Sequence, residues 1–209
     1  MLRADHWSLP MDDNDPFSTL TTLPPEQRWR GQAAPVPVVV ALIRRAHDDG
    51  EQLLLIRRAA GPYTGHWALV GGKWDFGETL AEAIVREVRE ETGLATALVA
   101  VRGLISERVT PWSPAELGAH FLLLVCDLVV RGGEAAEQSE GLVAWFDHAA
   151  IDALHAAGNI IPSDYAMIRE FAAATGCAPY VEVEMRATVG AAAGSLSEML
   201  RFRRHEHDG

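Results

Sequence analysis

Residues 72–94 read GKWDFGETLAEAIVREVREETGL, and this stretch decides how the rest of the chain is interpreted. Thr79 and Glu82 form a capping box, in which each side chain satisfies a backbone N–H left free at the start of a helix. Gly93 suits the left-handed conformation that commonly ends one. The stretch therefore predicts a helix that begins after Thr79 and ends at Gly93.

The helix carries an apolar stripe and a group of acids. At about 100° per residue the stripe contains Leu80, Ile84 and Val88, with Ala81 and Val85 beside them. The i,i+3 and i,i+4 spacings of Glu87, Glu90 and Glu91 predict that their carboxylates converge on another face. Like charges so spaced cost a helix roughly 0.2–0.5 kcal/mol per pair, and its C-terminal end disfavours anions. A hard divalent cation would relieve that repulsion; a solvated acidic face is the structural alternative.

The same stretch resembles the Nudix box, G-x5-E-x7-R-E-U-x-E-E-x-G-U, where U is aliphatic. Every fixed position is filled over 23 residues, from Gly72 through Glu78 and Arg86 to Gly93 and Leu94. Val70 replaces the proline that many members have before the double glycine, which should change loop stiffness and leave the ligands intact. The resemblance implies an α/β fold, an α/β/α sandwich around a mixed β-sheet.

The resemblance also implies roles for individual residues. Glu87, Glu90 and Glu91 match the family's metal-ligand and base glutamates, and the Gly71 carbonyl matches a position that often supplies a further ligand. Arg86 matches the arginine that orients a glutamate, with a plain ion pair to Glu82 or Glu90 as the alternative. Glu78 matches a glutamate that is usually structural.

Residues outside the box complete the expected site. The general base of the family sometimes comes from a later loop, where we favour Glu140 over Glu137 because it stands just before a strand-like segment at 142–146. Arg57 and its neighbour Arg58 end a strand, and one of them is expected to reach a phosphate. Lys73 could touch a phosphate or remain on the surface. Trp74 could stack on a base, although packing is the commoner role for such aromatics.

The charge and composition of the chain limit the classes of partner that it is expected to bind. The 209 residues carry 18 Lys+Arg against 29 Asp+Glu, a net charge of −11, and Lys73 is the only lysine. This balance argues against a broad grip on nucleic acid or on an anionic membrane, so a cation is expected to mediate phosphate binding. No apolar run approaches the roughly 18 residues of a membrane span. Cys126 and Cys177 are expected to be reduced, as in a cytoplasmic protein.

The expected organisation is an N-terminal arm (1–34), a Nudix domain (35–176) and a C-terminal extension (177–209). Strands are predicted at 36–43, 52–56, 67–70, 98–105, 121–130, 142–146 and 180–187, and further helices at 151–155 and 165–174. Asp49-Gly50 predicts a hairpin between the first two strands, and Pro162-Ser163-Asp164 predicts a helix start. The end of the chain, from Gly190, is compatible with disorder or with a terminal helix.

The expected activity is Mg²⁺- or Mn²⁺-dependent hydrolysis of the diphosphate bond of a nucleoside-diphosphate derivative. A small-molecule nucleotide is the expected partner, with an ADP-ribose-like sugar nucleotide first and oxidised nucleoside triphosphates second. A non-catalytic nucleotide-sensing regulator is a third reading, although such domains usually lose box glutamates. An isomerase of prenyl diphosphates would want a catalytic cysteine, for which Cys126 is poorly placed. Many members of the family are dimers, so a homodimer stays open.

Overall fold

A computed structural model of the chain describes residues 22–48, 50–111, 116–173, 176–187 and 197–204. The chain forms two compact units. Of the described residues, the smaller contains those up to Val36 and those between Ser106 and Leu122, and the larger contains those between Pro37 and Ile105 and those from Leu123 onward.

The smaller unit holds two 3₁₀ turns, Pro25–Gln27 and Trp29–Gly31. Backbone hydrogen bonds join this segment to Gly118, whose N–H donates to Gln27 O at 2.9 Å and whose carbonyl accepts from Trp29 N–H at 2.8 Å. The Trp29 ring also packs edge-on against Phe121, with centroids 5.4 Å apart. The segment just before the first strand is therefore fixed by both backbone and side-chain contacts.

In the described part of the chain, six strands form the main sheet and two form a separate two-stranded sheet. The main strands are β1 (Val36–His47), β2 (Gly50–Arg58), β3 (Trp67–Lys73), β4 (Ala95–Val109), β5 (Ala119–Gly132) and β6 (Gly141–Asp147). The order across the mixed sheet is β4-β5-β1-β3-β2-β6. β7 (Val181–Ala187) and β8 (Ser197–Arg204) pair antiparallel with each other. The helices are α1 (Leu80–Thr92), α2 (His148–Ala156) and α3 (Pro162–Phe171).

β3 occupies a central place in the sheet and positions the site. It runs antiparallel to β1, with Gly71 opposite Val40, and antiparallel to β2. β2 also pairs directly with the far end of β1, where His47 faces Gly50, and this confirms the predicted hairpin. The other side of β2 pairs with β6, so the C-terminal end of β2 lies between the first residues of β3 and of β6.

Helix α1 packs on one face of this sheet through its apolar stripe. The core there is built from alternate residues of β1, β2 and β3 together with four helix residues: Val39, Ala41, Ile43, Leu54, Ile56, Ala68, Val70, Leu80, Ala83, Ile84 and Val88. Alternation along β2 turns Leu53 and Leu55 to the other face. Helix α2 contacts β2 and β6, and α3 contacts β3. The chain is thus an α/β protein with helices packed on a mixed sheet, as predicted.

The structure corrects three expectations. The chain end is not helical at 197–204: these residues form β8, because they pair antiparallel with β7, with Met199 opposite Met185 and Phe202 opposite Val183. Residues 188–196 and 205–209 lie outside the described part. Helix α3 begins at Pro162, three residues before the predicted helix at 165–174, and the buried carboxylate of Asp164 in its first turn accepts a hydrogen bond from Leu69 N–H at 2.7 Å, which ties α3 to β3. β3 continues through Gly71 and Gly72 to Lys73, beyond the predicted end at Val70.

Two further expectations were tested in the described residues. Cys126 is buried, Cys177 is exposed, and both are free thiols. Across the described ranges, no helix combines the length and the hydropathy that a bilayer crossing requires.

Candidate active site

Helix α1 begins and ends as its sequence predicts. The Thr79 hydroxyl accepts a hydrogen bond from Glu82 N–H at 3.2 Å, and the Glu82 carboxylate accepts one from Thr79 N–H at 2.8 Å. Gly93 adopts φ 76°, and its N–H donates to Arg89 O at 3.0 Å. These caps set which turn of the helix faces the glycines of β3.

Arg86 joins the loop before the helix to the acids on it. Its Nε and Nη2 donate to the two carboxylate oxygens of Glu78 at 2.6 and 2.9 Å, a bidentate pair that lowers the pKa of Glu78. Nη1 lies 2.8 Å from Glu87 Oε1 and 3.3 Å from Glu90 Oε2. Nη2 also donates to the Lys73 carbonyl at 3.1 Å. Arg86 therefore orients Glu87 and closes the loop, and its partner is Glu78 rather than Glu82.

Glu91 is buried, with only 6% of the residue exposed. Its Oε2 accepts a hydrogen bond from Gly71 N–H at 3.0 Å. Burial raises the pKa of Glu91 to about 8; the Gly71 N–H opposes this, while the nearby carboxylates of Glu140 and Glu87 add to it. A carboxylate is thus held inside the protein against the glycine strand, where ionisation costs free energy unless a cation is present.

Glu87 lies against the next glycine of β3. A Cβ built on Gly72 would stand 2.3 Å from Glu87 Oε2, so only glycine leaves room for this carboxylate. A Cβ on Gly71 would stand 2.2 Å from the Val39 carbonyl, so that glycine is required by the backbone of β1. Burial raises the pKa of Glu87 above its ordinary value despite the opposing Arg86 charge. Gly72 therefore makes room for Glu87, while Gly71 contacts Glu91 through its N–H.

A cavity of about 200 Å³ opens beside these acids. It is lined by Ile56, Arg58, Ala59, Ala60, Leu69, Gly71, Glu91, Ser139 and Glu140. The Glu140 carbonyl accepts from Ala59 N–H at 3.1 Å, which fixes the residue just before β6. Its carboxylate is close enough to Glu91 to add to the rise in the pKa of Glu91. The cavity thus brings together a buried acid, an exposed acid and an arginine.

The other candidates outside the helix lie in different places. Arg58, on the same face of β2 as Ile56, lines the cavity, and its Nε donates to Pro62 O at 3.0 Å. Arg57 is exposed on the opposite face, where its Nε donates to Gly65 O at 3.0 Å. The sequence predicts that one of the two arginines at the end of this strand reaches the site. Because side chains alternate between the two faces of a strand, Arg58 and not Arg57 lines the cavity.

Lys73 and Trp74 follow the two glycines. Lys73 is half-buried, at the end of β3 opposite Val38. Trp74 packs against the core, and its Nε1–H donates to Glu78 O at 2.9 Å. The tryptophan thereby supports the loop that Arg86 closes. Substrate binding by these two residues and by Arg57 stays a prediction.

The donor set suits a hard divalent cation by its chemistry. Glu87, Glu90 and Glu91 offer carboxylate oxygens, the ligands that Mg²⁺ and Mn²⁺ prefer, and Glu140 adds a fourth acid at the same cavity. The side chains as placed do not share a common point: among the described residues no three His, Cys, Asp or Glu side chains are grouped closely enough to hold a metal ion. Glu87 and Glu90 are turned toward Arg86 instead. Binding would require these carboxylates to turn away from the arginine.

One family model covers the part of the chain that contains these residues. The family model for the NUDIX domain matches residues 34–171. An ADP-ribose pyrophosphatase of Methanocaldococcus jannaschii is 35% identical over 93 residues, which are 44% of this chain and 55% of that protein. An 8-oxo-dGDP phosphatase of Mus musculus is 36% identical over 88 residues, which are 42% of this chain and 23% of that protein. The chain thus spans about half the length of the first relative, and less of the second.

The fold has a match among solved structures. The crystal structure of a NUDIX hydrolase from Nitrosomonas europaea is 19% identical, with a TM-score of 0.50, over 66% of this chain and 70% of that one. At this identity the likeness concerns the fold alone.

Proposed function

This chain belongs to the NUDIX family, and we propose that it is a pyrophosphohydrolase that cleaves the diphosphate bond of a nucleoside-diphosphate derivative. The observation that carries the proposal is the buried Glu91, held by Gly71 N–H at a cavity that Glu140 and Arg58 also line. A structural acid would gain nothing from burial next to other acids. All the glutamates of the box are present, which favours an enzyme over a non-catalytic nucleotide sensor.

A divalent cation, Mg²⁺ or Mn²⁺, is part of the proposal. Glu87, Glu90 and Glu91 would hold it, with the Gly71 carbonyl as a further ligand. When bound, such an ion neutralises diphosphate oxygens, lowers the pKa of a bound water and stabilises the leaving phosphate. The strand and the capped helix hold Glu87 and Glu91 against Gly72 and Gly71, so little reorganisation of the backbone is needed.

We assign the general base to Glu140. It is exposed and lines the same cavity as Glu91, so it can take a proton from a water molecule there and pass it to solvent. Its backbone is fixed at the start of β6 by Ala59 N–H. The Glu140 side chain can therefore change its conformation while its backbone stays in place.

Arg58 is the residue best placed to bind a phosphate of the substrate. Its guanidinium reaches the cavity from β2, and its Nε is held by Pro62 O, so the group is oriented before a ligand arrives. Arginine presents several donors in a planar fork that matches phosphate oxygens. Arg57, on the other face of β2, is a weaker candidate.

ADP-ribose is our first choice of substrate, and oxidised nucleoside di- or triphosphates are the second. The archaeal relative is named for the first activity and the mouse relative for a reaction of the second kind. A reducing, cytoplasmic location fits two free thiols, one of them exposed. A homodimer remains part of the proposal by analogy with other members of the family.

The proposal is tested by product analysis on a nucleotide panel. ADP-ribose, 8-oxo-dGTP, 8-oxo-dGDP and CTP should each be assayed with Mg²⁺, with Mn²⁺ and with EDTA, with products identified by chromatography. We expect turnover that requires a divalent ion and is fastest on ADP-ribose, giving AMP and ribose 5-phosphate. Faster turnover of an oxidised nucleotide would transfer the assignment to the second substrate class. No metal-dependent turnover of any diphosphate would overturn it.

A further inference from the structure

The smaller unit contains its own cavity, of about 290 Å³. Leu23, Arg28, Gln32, Ala33, Ala34 and Pro35 line it from the segment before β1, and Arg108, Gly118, Ala119 and His120 line it from the chain around the start of β5. None of these residues belongs to the box or to the cavity beside it. Nothing in the proposed hydrolysis uses them.

Charges are unevenly distributed around this cavity. The described residues of the smaller unit carry three arginines and three glutamates: Arg28, Arg30, Arg108, Glu26, Glu107 and Glu116. Two of the arginines and His120 line the cavity, whereas none of the three glutamates does. In a chain with a net charge of −11, a cavity lined by cationic side chains and by no acid favours an anion.

The cavity wall is held together by side-chain hydrogen bonds. Arg28 Nε donates to Leu23 O at 2.7 Å and its Nη1 donates to Gln32 O at 3.3 Å, so its guanidinium is fixed. The Gln32 side chain bonds both backbone groups of His120, accepting from its N–H at 2.9 Å and donating to its carbonyl at 3.3 Å. His120 Nε2 lies 2.9 Å from Ser106 Oγ. Donors that are already oriented bind a ligand with less loss of conformational entropy.

We propose that this cavity binds a compact oxyanion, with phosphate as the preferred chemistry. Arg28 and Arg108 supply the positive charge from the two segments of the unit, and His120 adds a polar ring between them. The anion could be free inorganic phosphate or the phosphate group of a nucleotide, since both present the same oxygens to a guanidinium. The site does not depend on the hydrolase activity.

Equilibrium dialysis with radiolabelled inorganic phosphate tests this site, at low ionic strength and in EDTA so that no divalent ion recruits phosphate elsewhere. We expect saturable binding by the wild-type chain. Arg108→Gln and Arg28→Gln should each weaken it roughly tenfold, the loss of about one charge-assisted hydrogen bond. Arg30→Gln is the matched control: Arg30 stacks on Trp29, 4.7 Å from its ring, and does not line the cavity, so binding should be unchanged.

Further arms guard against misfolding and separate the two sources of anion. Thermal unfolding should show that Arg108→Gln remains folded, because Arg108 is exposed while Arg28 braces the wall. Competition by AMP that exceeds competition by phosphate, with none from adenosine, would identify a nucleotide phosphate as the ligand, and equal competition would identify free phosphate. Absence of saturable binding, or equal binding by wild type and Arg108→Gln, would overturn the proposal.

Discussion

The carboxylate of Glu87 lies against Gly72, so closely that a Cβ on the glycine would stand 2.3 Å from Glu87 Oε2. The close contact between β3 and α1 thus depends on both residues, and the sequence of either element alone does not show why a glycine is needed there. The glycine provides space for a side chain that the proposed reaction needs.

Gly72→Ala should reduce activity strongly while leaving the fold nearly intact. The atoms that the new methyl group meets belong to the flexible end of Glu87, which can swing aside, and a displaced ligand costs on the order of a hundredfold in rate. Gly132→Ala is the matched control, since its Cβ meets nothing within 4 Å. Steady-state kinetics and thermal unfolding of both variants check this; full activity of Gly72→Ala would contradict it.

Gly71→Ala should instead destabilise the protein. Its Cβ would stand 2.2 Å from the Val39 carbonyl, which cannot move without disturbing β1. Overpacking of this kind costs about 1–3 kcal/mol or more. Urea unfolding should therefore give a lower midpoint for Gly71→Ala than for Gly72→Ala, and the reverse order would be inconsistent with the fold described here.

Arg86→Ala should lower both stability and activity. The substitution removes the charge that faces the half-buried Glu87, and a buried group left without its partner costs about 1–3 kcal/mol. Arg89→Ala, an exposed arginine of the same helix, should stay within about 0.5 kcal/mol of wild type. Chemical denaturation compares the two variants, and equal losses would show that Arg86 is merely a surface ion pair.

Metal-free protein should be more stable at pH 5 than at pH 8.5, in part because of Glu91. An acid whose pKa is raised by folding, here to about 8 from 4.5, contributes fully below the lower value, and the contribution is lost as the pH rises through the higher one. Urea unfolding in EDTA should show a smaller decline for Glu91→Gln than for wild type. Parallel pH profiles for the two proteins would refute the assignment.

Glu140→Gln should lower kcat by roughly a hundredfold or more, the usual contribution of a general base, with a smaller change in KM. Glu137→Gln is the control, because Glu137 is an exposed acid of the same loop that does not line the cavity. If Glu137→Gln were the slower enzyme, the base would have to be reassigned to that residue.

Local signals in the sequence were sufficient for the helix and its ends. The capping box of Thr79 and Glu82 and the left-handed Gly93 are contacts between residues close in the chain, so propensity and spacing predict them. The hairpin of β1 and β2 and the buried strands follow from patterns of the same kind. The family resemblance then implied the mixed sheet, because local patterns do not predict the order of strands in a sheet.

Contacts between residues that are distant in the chain could not be predicted from the sequence. The spacing of the acids groups Glu91 with Glu87 and Glu90. Glu91 also stands seven residues after Ile84 and three after Val88, which places it on the apolar stripe, where a charged residue is not expected. The bidentate pairing of Arg86 with Glu78 depends on the path of a loop. The choice of Arg58 over Arg57 depends on where the alternation of β2 begins, and β8 depends on a partner strand.

The central claim is that the glutamates of α1 hold a divalent cation, and direct measurement of Mn²⁺ binding by electron paramagnetic resonance tests it. Wild-type protein should bind Mn²⁺ saturably, and Glu91→Gln should weaken binding at least tenfold with a parallel loss of turnover. Glu82→Gln, on the same helix and still able to complete the capping box, should bind as wild type does. Equal Mn²⁺ affinity of wild type and Glu91→Gln would contradict the claim.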